Sequence, residues 1–212
     1  PFLFRPGDGR YHMIYAGALL PAGIVVLDAF LAGLRELKVR DPGAAARLIV
    51  HFVGTGSSPD DPNGHRVLPR ARAAGVEDMV DEHPQRIGYV DTLNHLGCSD
   101  AVLVLGSTEA HYTPSKVFQA MLSRRPVLAL LHEASTAVDM VRQSHAGTVL
   151  TLTEGRLPSP ADVAKGVAET MAGVGYDPKG VEAATFDAWS ARASTRALAE
   201  ALDRAMAGDT PP

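Results

Sequence analysis

Cysteine, aromatic residues, long apolar runs and a surplus of basic charge are all scarce in this sequence, and each scarcity narrows the problem. The single cysteine, Cys98, rules out an internal disulfide and any cysteine-built metal cluster, and it points to a reducing, cytoplasmic compartment. Aromatics make up only 6% of the chain, so alanine and valine carry much of the apolar load, which suits helices packed closely on a sheet better than a β-sandwich. No apolar run approaches the ~20 residues a membrane helix needs, which leaves only peripheral contact with a membrane surface open. The net charge is −4 and the basic residues are dispersed, so the basic stripe of a nucleic-acid binder is missing. The chain opens on Pro1 and its first residues lack a signal-peptide pattern, so a piece of a longer protein is expected, with a partner domain outside it.

What is present is an ordinary globular balance, 46% hydrophobic and 21% charged over 212 residues, enough for one large domain. Short apolar runs alternate with stretches of helical period. Strands are expected over 11–17, 48–53, 86–88, 101–105, 127–131 and 148–152. Helices are expected over 23–38, 66–74, 91–96, 113–125, 135–143, 159–171 and 182–206. The first helix places Ile24, Leu27, Phe30, Leu31 and Leu34 on one face, with Asp28 at the edge of that stripe in solvent. Pro69 falls inside the second helix, and Pro126 stops the fourth. Non-alternating apolar strands between helices imply a parallel sheet buried on both faces. Right-handed crossovers then give an α/β, doubly wound, Rossmann-like domain of about six strands.

In such a sheet, ligands bind beyond the carboxyl ends of the strands. Three segments fall there: 17–23, 54–64 and 106–116. The last continues as GSTEAHYTPSKVFQAMLSRRPVLAL, where Pro114 marks a helix start. The amides of Ser115, Lys116 and Val117, with the Lys116 charge, form an anion site of the kind a diphosphate fills, and Gln119 one turn on reaches a ribose hydroxyl. Plain helix capping with a solvated lysine is the alternative. Gly17 and Gly54 each permit close backbone approach to a ligand, or simply make a tight turn. The spacing GxGxxG is absent and no acidic residue closes the second strand, which argues against a dinucleotide-dependent oxidoreductase.

His111 and His132, with Glu109 and Glu133 beside them, offer acid–base chemistry, although ordinary surface histidines are the commoner reading. Neither histidine has a third ligand at metal-binding spacing, so no metal site is expected. Cys98 fits a small core residue, Trp189 a packing anchor, and Asp60, Asp61 and Asn63 ordinary loop chemistry.

Four pieces in order resemble the C-terminal, donor-binding domain of family 4 glycosyltransferases, retaining enzymes of the two-domain GT-B fold. They are YAGALLPAG, LIVHFVGTG, RIGYVDTLNHLGCSDAVLVLGS and TPSKVFQAMLSRRPVLAL, and together they cover most of residues 11–150. The resemblance implies a nucleotide-sugar donor as substrate, no separate cofactor, and an N-terminal acceptor-binding domain outside this chain. By the same resemblance Ser115 and Lys116 meet the diphosphate, Gln119 the ribose and His111 the sugar, while backbone at Ile87 to Tyr89 reads the base. The chain departs from the family pattern in four places. His111 and Gln119 stand where the E-x7-E motif has glutamates, and Ala18 and Ala22 where many members carry Arg and Lys. Glutamine still bonds a hydroxyl but lacks the charge, which shifts phosphate binding onto Lys116. The departures also fit a second reading, a non-catalytic nucleotide-binding or structural module on the same fold.

Overall fold

A computed structural model describes residues 2–19, 21–56, 64–110, 112–181, 186–187 and 190–206. Six strands form one sheet in the order β3-β2-β1-β4-β5-β6, and every pairing is parallel. They are β1 Tyr11–Ala16, β2 Leu48–Val53, β3 Val80–His83, β4 Ala101–Leu105, β5 Val127–His132 and β6 Gly147–Leu152. The helices are α1 Ile24–Arg40, α2 Pro42–Arg47, α3 Leu68–Ala74, α4 Tyr89–Cys98, α5 Lys116–Leu122, α6 Thr136–Gln143, α7 Pro160–Met171 and α8 Ala191–Met206.

The apolar content of β4 (AVLVL) and β5 (VLALLH) follows from burial of every residue in both strands. Alternation sends side chains to two cores. Met13, Tyr15, Val50, Phe52, Leu103 and Leu128 pack with α1, α2, α3 and α7. Ile14, Val53, Val102, Val104 and Ala129 pack with α4, α5 and α6. Helices α1 and α7 cross so closely that a Cβ on Gly33 would lie 2.2 Å from Val163 Cγ1. After β3 the chain passes to the far side of β1 to lay down β4, so the strand order reverses between β1 and β4. That reversal opens a crevice beyond their carboxyl ends.

Three expectations need correction. The third strand is Val80–His83, and residues 86–88 form the loop before α4. Its sequence, VDEH, holds a single aliphatic residue, because only Val80 and Glu82 of this edge strand are buried, so the apolar signal was missing. Helix α5 starts at Lys116 and stops at Leu122, shorter than 113–125 at both ends. Of the expected helix over 182–206, the described residues show α8 from Ala191 onward. Helix α2, begun by Asp41 accepting from the Ala44 N–H, was not foreseen. His111, Trp189, Asp60, Asp61 and Asn63 lie outside the described residues.

Candidate functional site

Beyond the carboxyl ends of β1 and β2 lies a cavity of about 470 Å³, walled on its far side by the loop into α4 and by the start of α5. Gly17 and Gly54 form its floor. Gly17 has φ +125° and donates its N–H to the Val53 carbonyl at 2.8 Å. A Cβ there would lie 3.3 Å from Lys116 Nζ, so the glycine serves both the turn and the approach of the amine. Gly54 has φ +74° and donates to the His83 carbonyl at 2.8 Å. Ile87, Tyr89, Ser115, Lys116 and Gln119 complete the lining, with Arg86, Thr92 and Tyr112. Residues as far apart in sequence as Gly17 and Gln119 thus share one space.

Lys116 is the electrostatic centre of this site. Its Nζ donates to Tyr15 Oη at 2.6 Å and lies 3.9 Å from the centroid of that ring. The Tyr15 hydroxyl in turn donates to the Ala18 carbonyl at 3.0 Å. Burial and the neighbouring Tyr112 push the Tyr15 phenol up, so it stays neutral. Burial pulls Lys116 down to about 8. Among the described residues no carboxylate pairs with Lys116 or with Arg86, and none lines the cavity. Lys116 and Arg86, neither with a carboxylate partner among the described residues, thus line the same cavity.

The amide of Val117, expected to be free, donates to the Pro114 carbonyl at 3.0 Å. Ser115 is exposed and makes no side-chain cap to α5. His132 does not line the cavity. It is buried at the end of β5, and its Nδ1 accepts from the Ala134 N–H at 3.1 Å, which gives the ring a structural task. Cys98 packs against the core shared by α4, α5 and α6. Arg86, Tyr15 and Tyr112 were not singled out from sequence, since nothing in their spacing joins them to Lys116.

Glu82 supports the floor from the opposite side of β3. Its carboxylate accepts from Thr55 Oγ1 at 2.6 Å and from the N–H groups of Arg66, Val67 and Leu68 at 2.8–3.1 Å. Burial raises this carboxyl's pKa, but the hydrogen bonds from Thr55 and the three amides outweigh it and leave the value below the ordinary range.

A larger cavity, about 670 Å³, lies beside the edge strand β6 and α7. It stands away from the crevice, and four of its polar side chains already pair with one another. Ser159 and Asp162 form the capping box of α7, and Lys165 lies 3.7 Å from Glu169.

No protein-family profile and no curated protein matches this chain. Solved structures do. Anabaena HepE in complex with UDP and glucose superposes with a TM-score of 0.66 at 15% identity, over 92% of this chain and 48% of its own. A trehalose-phosphate synthase (UDP-forming) from Burkholderia vietnamiensis gives 0.62 at 11%, over 96% and 46%. WaaG, a glycosyltransferase involved in lipopolysaccharide biosynthesis, gives 0.57 at 14%, over 78% and 39%. The chain has the fold of one half of a GT-B glycosyltransferase. At these identities the likeness is one of fold, and the chain spans less than half the length of each. Within this GT-B half the cavity sits at the topological switch point. None of its described helices is long and apolar enough to cross a membrane.

Proposed function

We propose that this domain is the donor-binding half of a retaining, cytoplasmic glycosyltransferase, and that its cavity holds the nucleotide diphosphate of a nucleotide-sugar. The observation that carries this reading is Lys116, half-buried, without a carboxylate partner among the described residues and lining the crevice of a domain with the GT-B half fold. A diphosphate supplies the missing counter-charge, and desolvation strengthens the pairing. In this reading Ser115 and Lys116 bind the diphosphate, with Arg86 as a second cation where Ala18 and Ala22 supply none. Gly17 and Gly54 let backbone approach it. Gln119 bonds the ribose, Ile87 and Tyr89 flank the base, and His111 faces the sugar. As the glycosidic bond to the donor breaks, negative charge grows on the departing diphosphate, and Lys116 and Arg86 stabilise it. The acceptor, and any base it requires, belong to a second half of the protein.

The test is calorimetry of this chain against UDP, GDP, ADP, dTDP, their sugars and NAD. One nucleoside diphosphate should bind and identify the base, and Lys116→Ala should weaken it about tenfold to a hundredfold, the worth of one hydrogen bond to a charged group. Silence across the panel, or affinity unchanged in Lys116→Ala, overturns the reading.

A second reading rests on the absence of any carboxylate from the described lining and on Gln119 in place of a glutamate. In it the domain binds a nucleotide without transferring sugar. Binding by this chain, combined with no transfer or hydrolysis of any nucleotide-sugar by the full-length protein, would select it.

A further inference from the structure

At the β2–β3 edge of the sheet, a row of polar side chains takes no part in the cavity. Strand pairing sets His51 opposite Asp81, and His83 follows two residues later on the same face. His51 Nδ1 lies 3.2 Å from Asp81 Oδ2, and His83 Nε2 lies 3.0 Å from the same oxygen. One donor atom from each residue falls within 4.8 Å of the other two. The row continues inward. His51 Nε2 is 2.9 Å from His12 Nδ1, and His12 Nε2 is 3.1 Å from Asp8 Oδ1. His12 and His51 are buried, and the Phe4 ring stacks on both, with centroids 4.7 and 4.8 Å away.

Counting hydrogens exposes a shortfall. From Asp8 to Asp81 the row makes three contacts, and each needs one hydrogen between its heavy atoms. Two neutral imidazoles carry two. One contact is then left with lone pair facing lone pair, unless a cation takes the third place. A metal ion on His51 Nδ1 fills it with both rings neutral. His51 Nε2–H then donates to His12 Nδ1, and His12 Nε2–H donates to Asp8.

We propose that His51 Nδ1, Asp81 Oδ2 and His83 Nε2 bind a divalent transition-metal ion of the Zn²⁺ class. Two imidazoles and a carboxylate are a ligand set suited to such ions. Bonds of about 2.0–2.2 Å in a tetrahedron place neighbouring ligand atoms roughly 3.3–3.6 Å apart; the two contacts to Asp81 Oδ2 are slightly shorter, and His51 Nδ1 and His83 Nε2 lie within 4.8 Å of each other. The side chains of Asp81 and His83 are 44% and 32% exposed, which leaves a path for the ion and room for water at a fourth position. His12, Asp8 and Phe4 hold the His51 ring in one tautomer and orientation, the usual task of groups behind a metal ligand. The ion clips β2 to β3. The His83 carbonyl accepts from Gly54, so the clip also steadies the floor of the cavity.

Chelator-treated protein titrated with ZnCl₂ by calorimetry, and with Co²⁺ followed by its visible absorption, tests the proposal. One ion per chain should bind, with the intense Co²⁺ bands of a tetrahedral site. Asp81→Asn and His83→Ala should each abolish saturable binding. Asp8→Asn, which touches no ligand atom, should weaken it about tenfold. His65→Gln, a histidine outside the row, should leave it unchanged. Circular dichroism of metal-free Asp81→Asn, matched to the parent protein, separates lost binding from lost folding. No saturable uptake by the parent protein, or uptake that survives Asp81→Asn, overturns the proposal.

Discussion

Lys116 is charged in both the folded and the unfolded chain at neutral pH, but its folded pKa of about 8 lies below its ordinary 10.5. Between those two values the unfolded chain holds a proton that the folded one has released. Stability of the ligand-free domain should therefore rise with pH across that window, and the rise should vanish in Lys116→Met when thermal midpoints of the two proteins are compared. Diphosphate affinity should move the other way and fall above about pH 8, as the amine loses the charge the phosphate needs. Glu82 has the opposite sign. Its folded pKa is depressed, so its contribution is present above the unfolded value and is lost as pH falls through the folded one. Glu82→Gln places an NH₂ group among N–H donors and should cost about 1–3 kcal/mol in denaturant unfolding at pH 7. It should also flatten the acid limb of the stability profile.

Among the elements, the α1–α7 crossing is a close contact made at a glycine. Alanine at position 33 gains helix propensity of about 1 kcal/mol over glycine. Its Cβ would overlap Val163, a stiff β-branched side chain, with backbone of Ala164 close behind. The overlap should prevail, and Gly33→Ala should destabilise the domain by a net ~1–3 kcal/mol. Gly33→Ala combined with Val163→Ala should recover part of that loss, which a double-mutant cycle measures. Helix α7 is also held at its start by the reciprocal Ser159–Asp162 capping box. Ser159→Ala should cost about 0.5–2 kcal/mol in the same assay.

At the scale of the molecule, a domain with the fold of one GT-B half presents its crevice on its own surface, and in the proposed reading that crevice takes a nucleotide. This chain alone should therefore bind its nucleotide without transferring sugar. Product analysis by mass spectrometry, with a nucleotide-sugar and a panel of acceptors, checks this. Transfer by the isolated chain would mean that donor and acceptor chemistry both reside within these residues.

Sequence alone decided the parallel sheet, because strands buried on both faces must be apolar throughout, and β4 and β5 are. It also decided the placing of Gly17, Gly54, Ser115, Lys116 and Gln119 at one edge, because doubly wound topology sends every strand's carboxyl end there. It missed β3, whose outer residues Asp81 and His83 are polar for reasons of lateral pairing rather than burial. Only the tertiary structure decided that Tyr15 cradles Lys116 across 101 residues, that Arg86 joins the cavity, and that His12, His51, Asp81 and His83 form one row. Periodicity records which side of its own element a residue occupies. Which residues of neighbouring strands stand side by side depends on register and strand order, and those are set by packing the whole sheet at once.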